Sequence, residues 1–323
     1  MTPLAKIVLG LVSAFWLFPA QMSVAQTLAP VRFGVDAYTT GSQIWIAKEK
    51  GFFEKEGIDA QITTFATGVE AIDALLIGRA DMAVGLDFPI VSRMQGGKLT
   101  VLAGIFHSMP GFHKLVVAND IKQAKDLAGK KIGIATGTAQ HLITIKYLEE
   151  NGIPEDKVEI VGFTSLMEIV ASLRSGRIDA AFVWADGTQR TIDGGKHYVL
   201  TDDAAAKRSS SAYIVAQTDF TQKHPELTVA TLRALDAASQ FIAQNKDEAA
   251  GLIAKNTRAP RETMRDLLNY NEFALALTDY ERSGFNEVAD FLARTKSRSV
   301  SFDKGVNPEF LEKAAPGLVK LGN

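Results

Sequence analysis

The chain has 323 residues, with 35 basic and 37 acidic side chains and a formal net charge of −2. That balance disfavours nucleic acid or an anionic membrane surface as the partner. No cysteine is present, so disulfides, a catalytic thiol and lipid attachment through an N-terminal cysteine are all excluded.

The first 25 residues follow the order of a secretory signal peptide. Lys6 precedes an apolar run over 7–18 broken only by Gly10 and Ser13, and Pro19 and the small-residue triplet Ser23-Val24-Ala25 follow. Cleavage is expected after Ala25. The apolar run is shorter than the roughly 20 residues a spanning helix needs, and no later stretch is long and apolar enough to cross a bilayer. The mature chain is therefore expected to be soluble, not inserted in a membrane, and large enough for two modest domains.

Residues 31–35 read as a β-strand, followed by the polar turn Tyr38-Thr39-Thr40-Gly41-Ser42. Ile44, Ala47, Phe52 and Phe53 then recur at helical spacing. Next come a strand over 58–65, the turn Ala66-Thr67-Gly68, a helix through Ile72 and Leu75 ending near Gly78, and a short strand over 82–85. Strands alternating with helices at this pace predict βαβ units in a largely parallel sheet. The same grammar returns as a strand over 131–134, the turn Thr136-Gly137-Thr138 and a helix ending at Asn151-Gly152. A strand over 158–163, the pair Thr164-Ser165 and a helix to Gly176 complete this second unit.

The two units superimpose in sequence. An offset of 99 lays Arg32-Phe33-Gly34-Val35 on Lys131-Ile132-Gly133-Ile134. An offset of 98 lays Phe65 on Phe163, Glu70 on Glu168, Leu75 on Leu173, Gly78-Arg79 on Gly176-Arg177 and Asp81 on Asp179. Either corner alone is commonplace, but the pair with its upstream strands predicts two similar α/β lobes. From residue 219 the pattern becomes helical, through 227–242, 249–253, 261–270 and 285–292. A last helix is predicted at Asn307-Pro308, with Asn as cap. These helices have no strands of their own and are expected to pack on an existing lobe.

Ligands of open parallel sheets bind beyond the carboxyl ends of the strands. The turns there are rich in hydroxyls and glycine, and each opens a helix whose first N–H groups favour an anion. Any one turn is an ordinary helix cap; four facing one cleft point to binding. Tyr38 and Trp184 follow strand ends, where a ring either encloses a ligand or belongs to the core. Asp36, Asp87 and Asp186 either cap helices or hold an ammonium group, and His107 and His141 are possible donors to an anion. The histidines at 107, 113, 141, 197 and 224 show no metal-ligand spacing. There is no nucleophile elbow, phosphate loop or dinucleotide fingerprint. No cofactor or metal is expected, and nothing points to an enzyme, although one on the same scaffold is kept as an alternative.

The segment Ile46-Ala47-Lys48-Glu49-Lys50-Gly51-Phe52-Phe53-Glu54-Lys55-Glu56-Gly57-Ile58 resembles the signature of one solute-binding family. Residues 75–84, 126–133 and 136–141 are similar to further blocks of it, in the same order. This is the family of ABC-transporter binding proteins for nitrate, sulfonates and taurine, which also contains thiamine-pyrimidine binders. The resemblance implies a type II periplasmic-binding-protein fold, with two α/β lobes joined by a two-crossing hinge and the C-terminal helices packed on the first lobe. It places lobe 1 at 26–117 and 214–323, lobe 2 at 118–213, and the crossings near 115–118 and 212–216. The pocket residues it implies are Tyr38, Thr39, Thr40, Ser42, Thr67, Gly68, Asp87, Phe88, Gly137, Thr138, Ala139, Gln140, His141, Trp184 and Asp186. Two departures stand out: the second turn lacks the longer glycine run, and Trp184-Ala185-Asp186-Gly187 lacks a proline. The eukaryotic enzyme relatives depend on a cysteine-rich segment and a His-Glu-Gly-Ser motif, and this chain has neither. The implied protein is a periplasmic monomer that passes a small organic anion to an ABC permease in the inner membrane. The alternative ligand is an amine or pyrimidine held by pocket aspartates.

Overall fold

The computed structural model describes residues 27–257, 259–294 and 300–322. The expected signal peptide and its cleavage site lie outside them. In chain order the first lobe opens with β1 (Ala29–Asp36), α1 (Ser42–Glu49), α2 (Phe52–Lys55), β2 (Ile58–Phe65), α3 (Gly68–Leu76), β3 (Met82–Leu86), α4 (Asp87–Val91) and β4 (Leu99–His107). The second lobe holds β5 (Lys114–Ala118), β6 (Lys131–Ala135), α5 (Ala139–Glu150), β7 (Glu159–Phe163), α6 (Leu166–Arg174), β8 (Ala180–Val183), α7 (Gly187–Ile192) and β9 (His197–Asp202). The chain then returns as β10 (Ser211–Gln217) and runs through α8 (Thr218–Lys223), α9 (Pro225–Gln244), α10 (Lys246–Thr257), α11 (Arg261–Tyr270) and α12 (Asp279–Arg294). The last helices, α13 (Phe302–Gly305) and α14 (Glu309–Ala314), are short. Among the described residues no helix is long and apolar enough to cross a membrane.

The two five-stranded sheets share one plan. The first runs β2-β1-β3-β10-β4 and the second β7-β6-β8-β5-β9. In each, three parallel strands are followed by an antiparallel one, β10 against β3 and β5 against β8. In the first sheet β1 is buried over residues 33–36 and β10 over 211–216, which suits a sheet covered on both faces by helices. The later helices pack on the first lobe, α9 against α1 and α2, and α12 against α4.

The repeated sequence corner has a repeated structure. Gly78 and Gly176 adopt positive φ, 79° and 71°, just past α3 and α6, a conformation that any residue with a Cβ resists. The following Arg79 and Arg177 amides reach back to Ala74 and Ser172 carbonyls at 2.8 and 2.9 Å, closing each helix. Two residues on, the Asp81 carboxylate accepts from the Arg32 amide at 2.9 Å, and Asp179 from the Lys131 amide at 2.8 Å. Each Asp thus pins the start of its lobe's first strand to the end of the helix-to-strand corner. Glu70 and Glu168 also match, accepting from the Ala66 and Thr164 amides.

The sheets exchange the chain slightly earlier than the sequence suggests. The first crossing spans 108–113 and the return spans 203–210, because all of β5 belongs to the second sheet and all of β10 to the first. The segments read as crossings, near 115–118 and 212–216, are the apolar strands that receive them. Asp203 ties the crossings together: its carboxylate accepts from Gly111 N at 2.6 Å and His113 N at 3.0 Å, and its own amide donates to His113 O at 3.0 Å.

Candidate functional site

Both lobes turn the carboxyl ends of their parallel strands toward one cleft. Its wall takes Asp36, Tyr38 and Thr40 from beyond β1, Thr67, Gly68 and Val69 from the start of α3, and Leu86 and Pro89 from the β3–α4 corner. The second lobe and the first crossing supply Thr138, Ala139 and Gln140 at the start of α5, Trp184 after β8, and Phe112 and His113. These residues bound a narrow space of about 40 Å³ that opens to solvent.

The lobes meet across this cleft. The Tyr38 and Trp184 rings stand edge to face with centroids 5.9 Å apart, and Phe88 faces His141 at 6.0 Å. Lys146 on α5 reaches Glu287 on α12 at 3.5 Å. These contacts describe a closed arrangement.

Asp36 is the only carboxylate among the described residues that line the cleft, and no lysine or arginine lines it. Its Oδ1 accepts from the Tyr38 amide at 3.1 Å and its Oδ2 from the Thr40 hydroxyl. Burial pushes its pKa up, although those two hydrogen bonds pull the other way. Burial, with the nearby charges of Asp36 and Asp186, also pushes the Tyr38 phenol up to about 12, so it remains a donor. Gln140 is held rigidly by Ala135 N at 2.7 Å and the Gly133 and Phe182 carbonyls, both at 3.1 Å, which fixes the first turn of α5.

Of the residues expected to bind, Tyr38, Thr40, Thr67, Gly68, Thr138, Ala139, Gln140 and Trp184 line this cleft together. The others lie behind or beside it. Thr39 and Ser42 are fully buried, and the Ser42 hydroxyl donates to the Thr39 carbonyl within their own turn. Asp87 is buried against the Arg208 guanidinium at 2.7 Å, and Phe88 packs between His141 and Phe291. Gly137 takes φ 76° to start α5, and its amide donates to His141 Nδ1 at 3.4 Å. Burial lowers the pKa of His141, which keeps the ring neutral. Asp186 pairs with Arg190 at 2.6 Å and faces an outer groove. The fourth hydroxyl-rich turn, Thr164-Ser165, is closed by its own side chains, with Ser165 capping the Glu168 amide and Glu168 accepting from Thr164.

The sequence does not single out Val69, Phe112 or His113 as lining residues, yet all three face the cleft. The crossing segment carries no periodic pattern; its one local signal is Pro110-Gly111, which marks a turn.

His107, considered as an anion donor, lies at the end of β4 and pairs instead with Glu281 and with Glu272, the latter at 3.5 Å. Burial opposes its charge, but the Glu281 and Glu272 contacts outweigh that and raise its pKa. Glu281, fully buried, is lowered because the bonds from His107 and Thr278 overcome its own burial. A raised histidine contributes stability below its unfolded value, about 6.5, and loses it as pH rises through the folded value. The lowered Glu281 contributes above its unfolded value, about 4.3, and loses it as pH falls through its folded value. The stability difference between the native protein and His107→Gln is therefore expected to be greatest between about pH 5 and 6.5. It should shrink on the alkaline side, and urea titrations across pH will read it; a pH-independent difference would contradict the pairing.

Two α/β lobes with matching mixed sheets, two crossings and a cleft at their strand ends define a periplasmic-binding-protein fold. The aliphatic sulphonate binding protein of Escherichia coli superimposes with a TM-score of 0.73 at 20% identity, over 86% of this chain and 92% of that one. The chain belongs to the NMT1/THI5-like family, whose model matches residues 39–249. In sequence it is 27% identical over 232 residues to a Brucella abortus binding protein, covering 70% of this chain and 71% of that one. It is 29% identical over 214 residues to the taurine-binding periplasmic protein of Escherichia coli, covering 64% and 66%.

Proposed function

We propose that this chain is the periplasmic binding component of an ABC importer, capturing a small organic anion of the sulfonate kind between its lobes. The observation that carries this reading is the placement of two helix starts, α3 from one lobe and α5 from the other, on opposite walls of one cleft. Neither start is closed by its N-cap side chain, since Thr67 makes no such bond and Thr138 donates instead to the Ala135 carbonyl. Their first-turn N–H groups and the positive ends of their dipoles can hold an oxyanion without a basic side chain. The sulfonate- and taurine-binding relatives support the same class.

Binding then acts as a population shift. Open and closed forms exchange, a ligand touching both lobes favours the closed one, and a permease receives the ligand from that form. A thermal-shift screen of the mature protein against sulfonates, nitrate, carboxylates, amines and pyrimidines tests it. A ligand at 100 times its dissociation constant adds about 2.7 kcal/mol to the folded state. A melting-temperature rise with sulfonates is expected, and stabilisation by none of the anions would overturn the reading. One observation favours a nitrogenous ligand as the second reading: the carboxylate of Asp36 in the cleft wall.

A further inference from the structure

We propose that Asp36 takes up a proton as the anion enters, so that the cleft captures its solute together with one hydrogen ion and Asp36 donates to the bound oxyanion; this rests on the binding-protein reading above. The cleft is built from two opposed halves. The α3 and α5 starts present N–H groups that favour negative charge, whereas Asp36 brings a carboxylate to the same narrow space. No lysine or arginine among the described lining residues offsets it. An ionised Asp36 and an oxyanion in one poorly solvated site repel strongly. Two acidic groups held together in this way share a proton, as paired catalytic carboxylates do. A sulfonate is too strong an acid to hold that proton, so it resides on Asp36.

Asp36 is placed to carry it. The residue is 7% exposed, and each oxygen accepts one bond, Oδ1 from the Tyr38 amide and Oδ2 from the Thr40 hydroxyl. A protonated carboxyl retains acceptor capacity and gains one O–H to donate. Burial already pushes its pKa up against the pull of those two bonds, and a bound anion pushes it further the same way.

The other ionisable groups around the cleft leave this role to Asp36. The Tyr38 phenol, pushed up to about 12, stays protonated. His113 on the first crossing turns its Nδ1 to Asp203 on the return crossing at 3.4 Å. Behind the β3–α4 corner Asp87 is paired with Arg208, and beyond Trp184 Asp186 is paired with Arg190. On α3, Glu70 turns back to the Ala66 amide, and on α5 burial keeps His141 neutral. Affinity for an anion therefore rises as pH falls from the pKa of Asp36 in the filled cleft to its value in the empty one, and is level outside that window.

The test is calorimetric titration of ethanesulfonate, which keeps its charge throughout, from about pH 8.5 to 5 in buffers of differing ionisation heat. The native protein is expected to bind more tightly toward acid, by at most about tenfold per pH unit, with uptake of up to one proton per anion. Asp36→Asn keeps an oxygen for the Tyr38 amide and offers an N–H in place of the O–H, so it stands in for the protonated form. It should bind ethanesulfonate without proton uptake, and on the alkaline side exceed the native affinity by roughly 10- to 100-fold. His113→Gln should keep the pH slope. A native affinity that is level across the range, or that rises toward alkali, would overturn the inference and leave sulfonate capture standing. A slope lost in His113→Gln and kept in Asp36→Asn would overturn it too, by moving the proton to the imidazole. Failure of both ethanesulfonate and nitrate to bind at any pH would remove the anion reading and this inference with it. If Asp36→Asn does not fold, proton uptake by the native protein and by His113→Gln decides the matter.

Discussion

Replacing Arg208 with methionine is expected to cost the folded protein about 3–5 kcal/mol, the range found when one partner of a buried ion pair is removed. Arg208 sits on the return crossing with its side chain 1% exposed, between Asp87 at 2.7 Å and Glu287 at 2.5 Å. Without it, Asp87 keeps a buried charge that only the Phe88 and Ser211 amides still face, at 2.7 and 3.4 Å. Burial already pushes the Asp87 pKa up, and Arg208 is the main opposing influence. In Arg208→Met that opposition is gone, so protonating Asp87 relieves the strain. Because the folded pKa lies above the unfolded one, stability is recovered as pH falls through it. Chemical denaturation should therefore show a gap from the native protein that narrows toward acid, and that Asp87→Asn in the same chain largely closes. A gap of under 1 kcal/mol at neutral pH would show that the pair is not buried in solution.

Trp184→Ala is expected to weaken ligand binding by about 2–4 kcal/mol, or roughly 30- to 1000-fold in Kd, the scale of an aromatic hot spot. Trp184 projects from the second lobe at the end of β8, meets Tyr38 of the first lobe, and also touches His113 on the crossing at 5.9 Å. It is thus a part of the cleft wall contributed by the second lobe and packed against the first. Trp184→Phe keeps a ring and should lose much less. Titration of any ligand found in the thermal-shift screen checks this, and affinity unchanged in Trp184→Ala would place the ligand elsewhere.

The sequence makes the repeat legible because its two copies carry the same contacts. Asp81 and Asp179, or Glu70 and Glu168, are local devices that any copy of the corner must contain. The strand-end turns are legible for the same reason. Strands β4 and β9 carry little local signal; β4 is a mostly apolar run with no alternation to distinguish it. Partnerships between distant residues left no trace either: Asp87 and Arg208 are 121 positions apart. Two misplacements had a visible signal. Asp186 and Arg190 have i, i+4 spacing, and Ser165 with Glu168 forms the pattern of a self-capping helix start, so neither was free for a ligand. Thr39 and Ser42 differ from Thr40 only in which way the turn points them, and residue type does not encode that.

The position of β10 governs the order in which the chain can take shape. All five strands of the second sheet lie within residues 114–202, whereas β4 of the first sheet has no strand neighbour until β10 arrives between it and β3. The second lobe can therefore assemble as soon as its own residues are available. The first must wait, as the three-stranded ribbon β2-β1-β3 with a bare edge, until residue 217 has been made. Closing so long a loop delays assembly.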